Sequence, residues 1–153
     1  MNPTALKTEI QNGPLAAELA PHIASGNDTA IADALNAQRG ETMLRERFIR
    51  ARGVLAHYPA GPEAAAVVLD KLEAAAAHVP AVKWVMSFLK SDGIDIGSPA
   101  TQGMLDQLAA GGLMTADEAS QLKSLGVTPA SRAEIVLGQA VSVTDVAIAM
   151  RGQ

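Results

Sequence analysis

The amino-acid sequence predicts an all-α fold: one compact multi-helix domain, 1–153, built of short helices around a central helical hairpin at residues 62–90. Three observations predict it. Within 62–90, Ala65, Val68, Leu72, Ala76 and Val79 recur at three- and four-residue steps, and Val82, Val85, Met86 and Leu89 resume the pattern after Pro80. Elsewhere, prolines, glycines and Ser/Thr/Asp residues cut the chain into short segments that open and close like helices. Strand-type alternation is brief, at Ile94-Asp95-Ile96. Cap and breaker positions together predict seven to nine helices.

Taken in order, Thr4 is the expected N-cap of a first helix carrying Leu6 and Ile10, ended by Asn12-Gly13-Pro14. Pro14 opens a second helix, 15–19, which Pro21 bends or ends. Asp28 caps a third, with Ile31 and Leu35 inward. All three are too short to persist alone in water, so they must pack on something larger. Residues 42–58 predict a longer amphipathic helix with Leu44, Phe48, Ala51 and Leu55 as its buried stripe. Glu41 with Arg45, and Glu46 with Arg50, are spaced there for supporting ion pairs. A turn, Pro59-Ala60-Gly61-Pro62, leads into the hairpin, where Pro62 and Glu63 suit a first helical turn and Trp84 and Phe88 lie on a neighbouring face. The alanine run 74–77 lets a facing helix approach closely.

The texture changes at 91–99, which allows two subregions, 1–90 and 91–153. Ser98 or Thr101 begins a helix with Met104, Leu105 and Leu108 inside, stopped by Gly111-Gly112. Thr115 with Glu118, and Ser131 with Glu134, have capping-box spacing, and Gly126 and Gly138 end the helices they open. Residues 140–143 read as extended before a last helix capped by Ser142 or Thr144.

Composition narrows the chemistry. There is no cysteine, hence no disulfide framework and no thiolate chemistry. Apolar runs are too short or too interrupted to span a bilayer, and the first ten residues lack a signal peptide's basic start and apolar centre, so a soluble protein made inside the cell is expected. Aromatics are 3% of residues, which predicts a core of small aliphatic side chains. The net charge of −4 is uneven: −3 over 1–38, +3 over 39–52, zero over 53–90 and −4 over 91–153. Such a chain is a poor general polyanion binder, but its basic segment suits a partner protein.

No catalytic, cofactor or metal motif stands out. His22, His57 and His78 are each alone in sequence, without ligand spacing. Asp92 and Asp95 flank a glycine, yet the residues after them lack the further oxygen ligands and terminal glutamate of a calcium loop, so a structured turn is expected. Ser98, Ser124 and Ser131 lack a nucleophile-elbow setting, and no phosphate-binding glycine loop occurs. Residues 115–137 have the cadence of a helix-turn-helix, but Arg132 and Gln139 with Glu134 between them make a weak recognition helix. The local candidate for an interaction surface is the arginine segment: Arg45, Arg47, Arg50 and Arg52 as partner-binding residues, against a solvated, internally paired helix face.

Several stretches together resemble a family of small proteins of tailed bacteriophages and prophages. The opening Leu6-Lys7-Thr8-Glu9-Ile10, Gly13-Pro14-Leu15 and Ile31-Ala32-Asp33-Ala34-Leu35-Asn36 is similar to that family's beginning. Gly93-Ile94-Asp95-Ile96 with Met104-Leu105-Asp106 echoes its middle, and Pro129-Ala130-Ser131-Arg132-Ala133-Glu134 with Val143-Thr144-Asp145-Val146-Ala147 its close. The arginine segment is the least characteristic part. The resemblance implies a phage product encoded near virion morphogenesis genes and supplies no catalytic residues. The function expected is therefore a non-enzymatic structural or accessory virion component in the tail, tail fibre or connector region. Its expected partners are other phage structural proteins in multiple copies, with neither membrane nor nucleic acid, and its expected location is the virion after synthesis in the bacterial host cytoplasm. The alternative is a phage-encoded intracellular regulator or host-defence antagonist that binds a host protein or DNA.

Overall fold

Residues able to start a helix decide where most of this chain is helical. The computed structural model describes residues 1–152, and their order is α1 (Pro3–Asn12), α2 (Ala16–Ala24), α3 (Asp28–Asn36), β1 (Gln38–Leu44), β2 (Phe48–Ile49), α4 (Ala51–His57), α5 (Pro62–Ala76) and α6 (Pro80–Lys90), followed by β3 (Ile94–Asp95), α7 (Pro99–Ala110), α8 (Ala116–Ser124), β4 (Val127–Ser131), α9 (Arg132–Leu137) and α10 (Val143–Arg151). The fold is mostly helical but not all-α. Ten helices are present among the described residues, one more than the upper expectation, and the strands pair as β1 with β4 and β2 with β3.

The chain forms two compact units, Met1–Met43 with Pro129–Gln153, and Leu44–Thr128. It crosses between them within β1 and within β4, and the change of texture at 91–99 lies inside the second unit.

In the first unit, three short N-terminal helices share one core with the two C-terminal ones: Leu6, Ile10, Leu19, Ile31, Leu35, Ala133, Val141 and Val146 are all buried together. α1 starts earlier than expected, because the Asn2 side chain rather than Thr4 accepts from the Thr4 and Ala5 amides and Pro3 occupies the first turn. Asn27, not Asp28, caps α3 in the same way. Pro21 sits inside α2 without ending it. Asn36 closes the unit from the end of α3: its amide donates to the Val141 carbonyl at 2.7 Å and its oxygen accepts from the Val141 amide at 2.9 Å. Glu9 is 8% exposed, and Arg132 Nε meets its carboxylate at 2.7 Å, which answers the cost of burying a charge.

In the second unit the expected hairpin is the scaffold. Ala65, Val68, Leu72 and Ala75 of α5 and Val82, Met86 and Leu89 of α6 are buried, with Ala76, Val79 and Val85 half-buried against them. Leu105 and Leu108 of α7, Ala119 and Leu122 of α8, and Ile49, Val54 and Tyr58 complete that core. Ser98 caps α7, and Thr115–Glu118 forms the expected capping box at α8. The other predicted box, Ser131–Glu134, opens α9 in the first unit, and Gly138 ends that helix at φ +75°.

Two further expectations are corrected. Residues 42–58 are not one helix, since only Ala51–His57 is helical and β1, an irregular stretch and β2 precede it. The assigned stripe consequently fails: Leu44, Phe48 and Leu55 are exposed, while Ile49 and Val54 are buried. Helical ion pairs offer about 0.2–0.5 kcal/mol each. Here that preference is outweighed because the segment's own backbone groups bond to residues far along the chain. The second correction concerns 115–137, where the five-residue strand β4 lies between α8 and α9 in place of a tight turn, so no helix-turn-helix is formed.

Candidate functional site

The arginine segment is held by backbone-to-backbone approach rather than by a helix. The Arg45 amide donates to the Gly126 carbonyl at 3.1 Å, and the Ile96 amide donates to the Arg47 carbonyl at 3.0 Å. The Asp95 carboxylate accepts from the Arg47 amide at 2.8 Å and from the Gly97 amide at 3.0 Å. This second bond is the turn in which an aspartate caps the amide two residues on, as expected for a structured turn here. Gln102, buried on α7, donates to the Ile96 and Lys123 carbonyls.

Two glycines make this crossing possible. A Cβ at Gly97 would lie 1.7 Å from the Arg45 carbonyl oxygen, and one at Gly126 would lie 2.8 Å from the Ile96 carbonyl oxygen. Three strands of backbone therefore meet where side chains would hold them apart. Antiparallel pairing of Phe48 with Asp95 and Ile49 with Ile94 extends the junction and fixes which side chains point inward. Ile49 enters the core; Phe48, one residue earlier, stands 64% exposed.

Beyond this junction, β2 and α4 enclose an open groove of about 360 Å³ lined by Arg47, Phe48, Arg50, Arg52, Ala56 and His57. Three of the four candidate arginines thus come together, and Arg45 lies outside the groove. Arg47 is committed to the structure: its guanidinium donates to the Leu125 carbonyl at 2.7 Å. Arg50 and Arg52 are exposed and form no ion pair among the described residues. Glu41, expected beside Arg45, instead stands 3.5 Å from Arg132 in the first unit. A strand places residues four apart well beyond the distance at which helical neighbours pair.

Phe48 and His57 are members that sequence reading missed. The spacing of 42–58 places Phe48 in a buried stripe, and the signal available for both is only their nearness to the arginines. A second outward feature lies on α6, where Trp84 and Phe88, four residues apart, are 64% and 47% exposed. Three of the chain's four aromatic side chains therefore face solvent, all in the second unit.

Among the described residues, no group of three or more acids or imidazoles is placed to hold a metal ion. The Tyr58 hydroxyl is buried without a hydrogen-bond partner, and burial first, then the Glu118 charge, push it above the ordinary phenol range, so it stays neutral. An enclosed apolar cavity bounded by Val54, Leu72, Leu89 and Leu105 measures about 20 Å³, far below the few hundred Å³ of a small-molecule pocket. The arrangement is suited to contact, with rigid backbone beneath, two unpaired guanidinium groups on the rim and an aromatic ring beside them.

No protein-family model, curated protein or solved structure matches this chain.

Proposed function

We propose that the chain is a non-enzymatic structural or accessory component of a tailed phage particle, associated with the tail, tail fibre or connector, and that it works through protein contacts made by its second unit. The observation that carries this reading is the exposure of Phe48, Trp84 and Phe88 in a chain with so few aromatics. Exposed aromatics and arginines are the residue types that concentrate binding energy at protein interfaces. The sequence resemblance supports the phage assignment, and many copies around a symmetric particle make a modest interface sufficient. No helix among the described residues is long and apolar enough to cross a membrane.

Mass spectrometry of purified virions tests the proposal. The chain is expected in intact particles, at a constant ratio to known tail components and protected from added protease. Its absence at a depth that detects other minor components would overturn the reading, and capture of one host protein from infected lysate would then favour an intracellular regulator.

A further inference from the structure

The chain carries twelve Lys and Arg against sixteen Asp and Glu, so acids are in excess. Among the described residues, six cations are paired with acids inside their own unit: Arg39 with Glu18, Lys71 with Glu118, Lys90 with Glu73, Lys123 with Asp106, Arg132 with Glu9, and Arg151 with Asp28. Arg50 and Arg52 have no such acid among the described residues, yet they share one concave surface with the exposed Phe48 ring. Two unanswered guanidinium groups in one concavity leave positive charge there for something outside the chain to complement.

We propose that the groove between β2 and α4 binds a short acidic segment of a partner protein, with Arg50 and Arg52 pairing with its carboxylates and Phe48 covering an apolar side chain between them. This inference rests on the reading that the protein acts through protein contacts, and it names the chemistry of the partner. A guanidinium presents its N–H groups in a fork that matches a carboxylate, giving stronger and more directional bonds than a neutral donor gives. Arg47, which lines the groove, has its backbone held by bonds to residues 95 and 96, so little of its freedom is lost on binding. Nucleic acid fits less well. Two guanidinium groups neutralise about two phosphates, and the long-range field of a chain with net charge −4 repels a polyanion. A segment bearing a few carboxylates meets that short-range attraction with far less of the repulsion.

The test uses the full-length, ¹⁵N-labelled protein and three probes: a short peptide alternating glutamate with leucine, the same peptide with glutamine for glutamate, and an oligothymidylate of equal charge. The glutamate peptide is expected to move amide resonances of residues 47–57 and to lose affinity about tenfold or more in the Arg50→Gln/Arg52→Gln variant. That variant's spectrum away from the groove should match the parent, which shows that the fold is kept. The proposal is overturned by equal binding of the glutamine peptide, by equal affinity of the variant, by tighter binding of the oligonucleotide, or by no shifts in the groove. Sedimentation showing a dimer that the double substitution dissociates would instead give the groove to a second copy of the chain. Virion composition reads the underlying function separately: presence in particles without peptide binding defeats only this inference, whereas absence from particles defeats the functional reading whatever the peptide does.

Discussion

Replacing Gly97 by alanine should be among the most damaging single changes available to the second unit. The new methyl would sit 1.7 Å from the Arg45 carbonyl oxygen and 2.6 Å from its carbon, both main-chain atoms that cannot swing aside. Relief requires the two backbones to part by more than about 1 Å, and overpacking of that kind costs roughly 1–3 kcal/mol. The parting also stretches the Ile96-to-Arg47 bond and the bond from the Arg47 amide to the Asp95 carboxylate. At about 1 kcal/mol for each of two lost bonds, the total reaches roughly 3–5 kcal/mol, a large share of a typical domain's stability. Gly103 supplies the matched control. A Cβ there meets nothing within 4 Å and lies in the interior of α7, so Gly103→Ala should stabilise by roughly 0.5–1 kcal/mol through helix propensity. Urea unfolding followed by circular dichroism at 222 nm measures both, and with a slope of about 2 kcal/mol/M the Gly97→Ala midpoint should fall by roughly 2 M. Peptide binding at the groove should weaken in parallel, because the Arg47 carbonyl is part of the same junction. A midpoint shift below about 0.5 M, or a loss equal to that of an ordinary surface alanine, would refute the claim that three backbones are in contact here.

Two further outcomes follow from the ion pairs. Lys71, and after it the Thr115 amide, hold the Glu118 carboxyl below its ordinary 4.5, so its stabilisation is complete above that value and is lost as pH falls through the lower folded-state value. The stability difference between the parent and Glu118→Gln should therefore shrink on acidification below 4.5, and a difference that stays constant into strong acid would contradict the assignment. Arg132→Ala leaves Glu9 buried without its partner and should cost about 2–4 kcal/mol, whereas Glu9→Leu with Arg132→Met should recover most of that loss; a thermal-denaturation double-mutant cycle decides between this and simple additivity.

How far the sequence determined the fold can be traced element by element. Most helix starts and stops were legible because they depend on neighbours in the chain, although the caps of α1 and α3 are Asn2 and Asn27 rather than Thr4 and Asp28. Pro62 and Pro80 begin their helices, Thr115–Glu118 and Ser131–Glu134 form reciprocal caps, and Gly138 ends α9. The hairpin's inner face was legible for the same reason, since a stripe at three- and four-residue steps is a property of one helix. The candidate arginines were legible as a cluster of charge, though not as a site.

What only the tertiary structure decided is the path of residues 38–50. Their spacing allows an amphipathic helix, and its local ion pairs favour one. Partners at Asp95, Ile96 and Gly126 bond to that backbone instead, and nothing in the spacing of 42–58 encodes a contact about fifty to eighty residues away. That pairing turns Phe48 outward, sends Ile49 into the core, and brings Arg47, Arg50 and Arg52 to one groove. Capping and helical periodicity act within a turn or two of chain, so a single sequence displays them. Pairing between distant strands depends on both partners and on the space that Gly97 and Gly126 leave between them, and becomes visible only when the chain is folded.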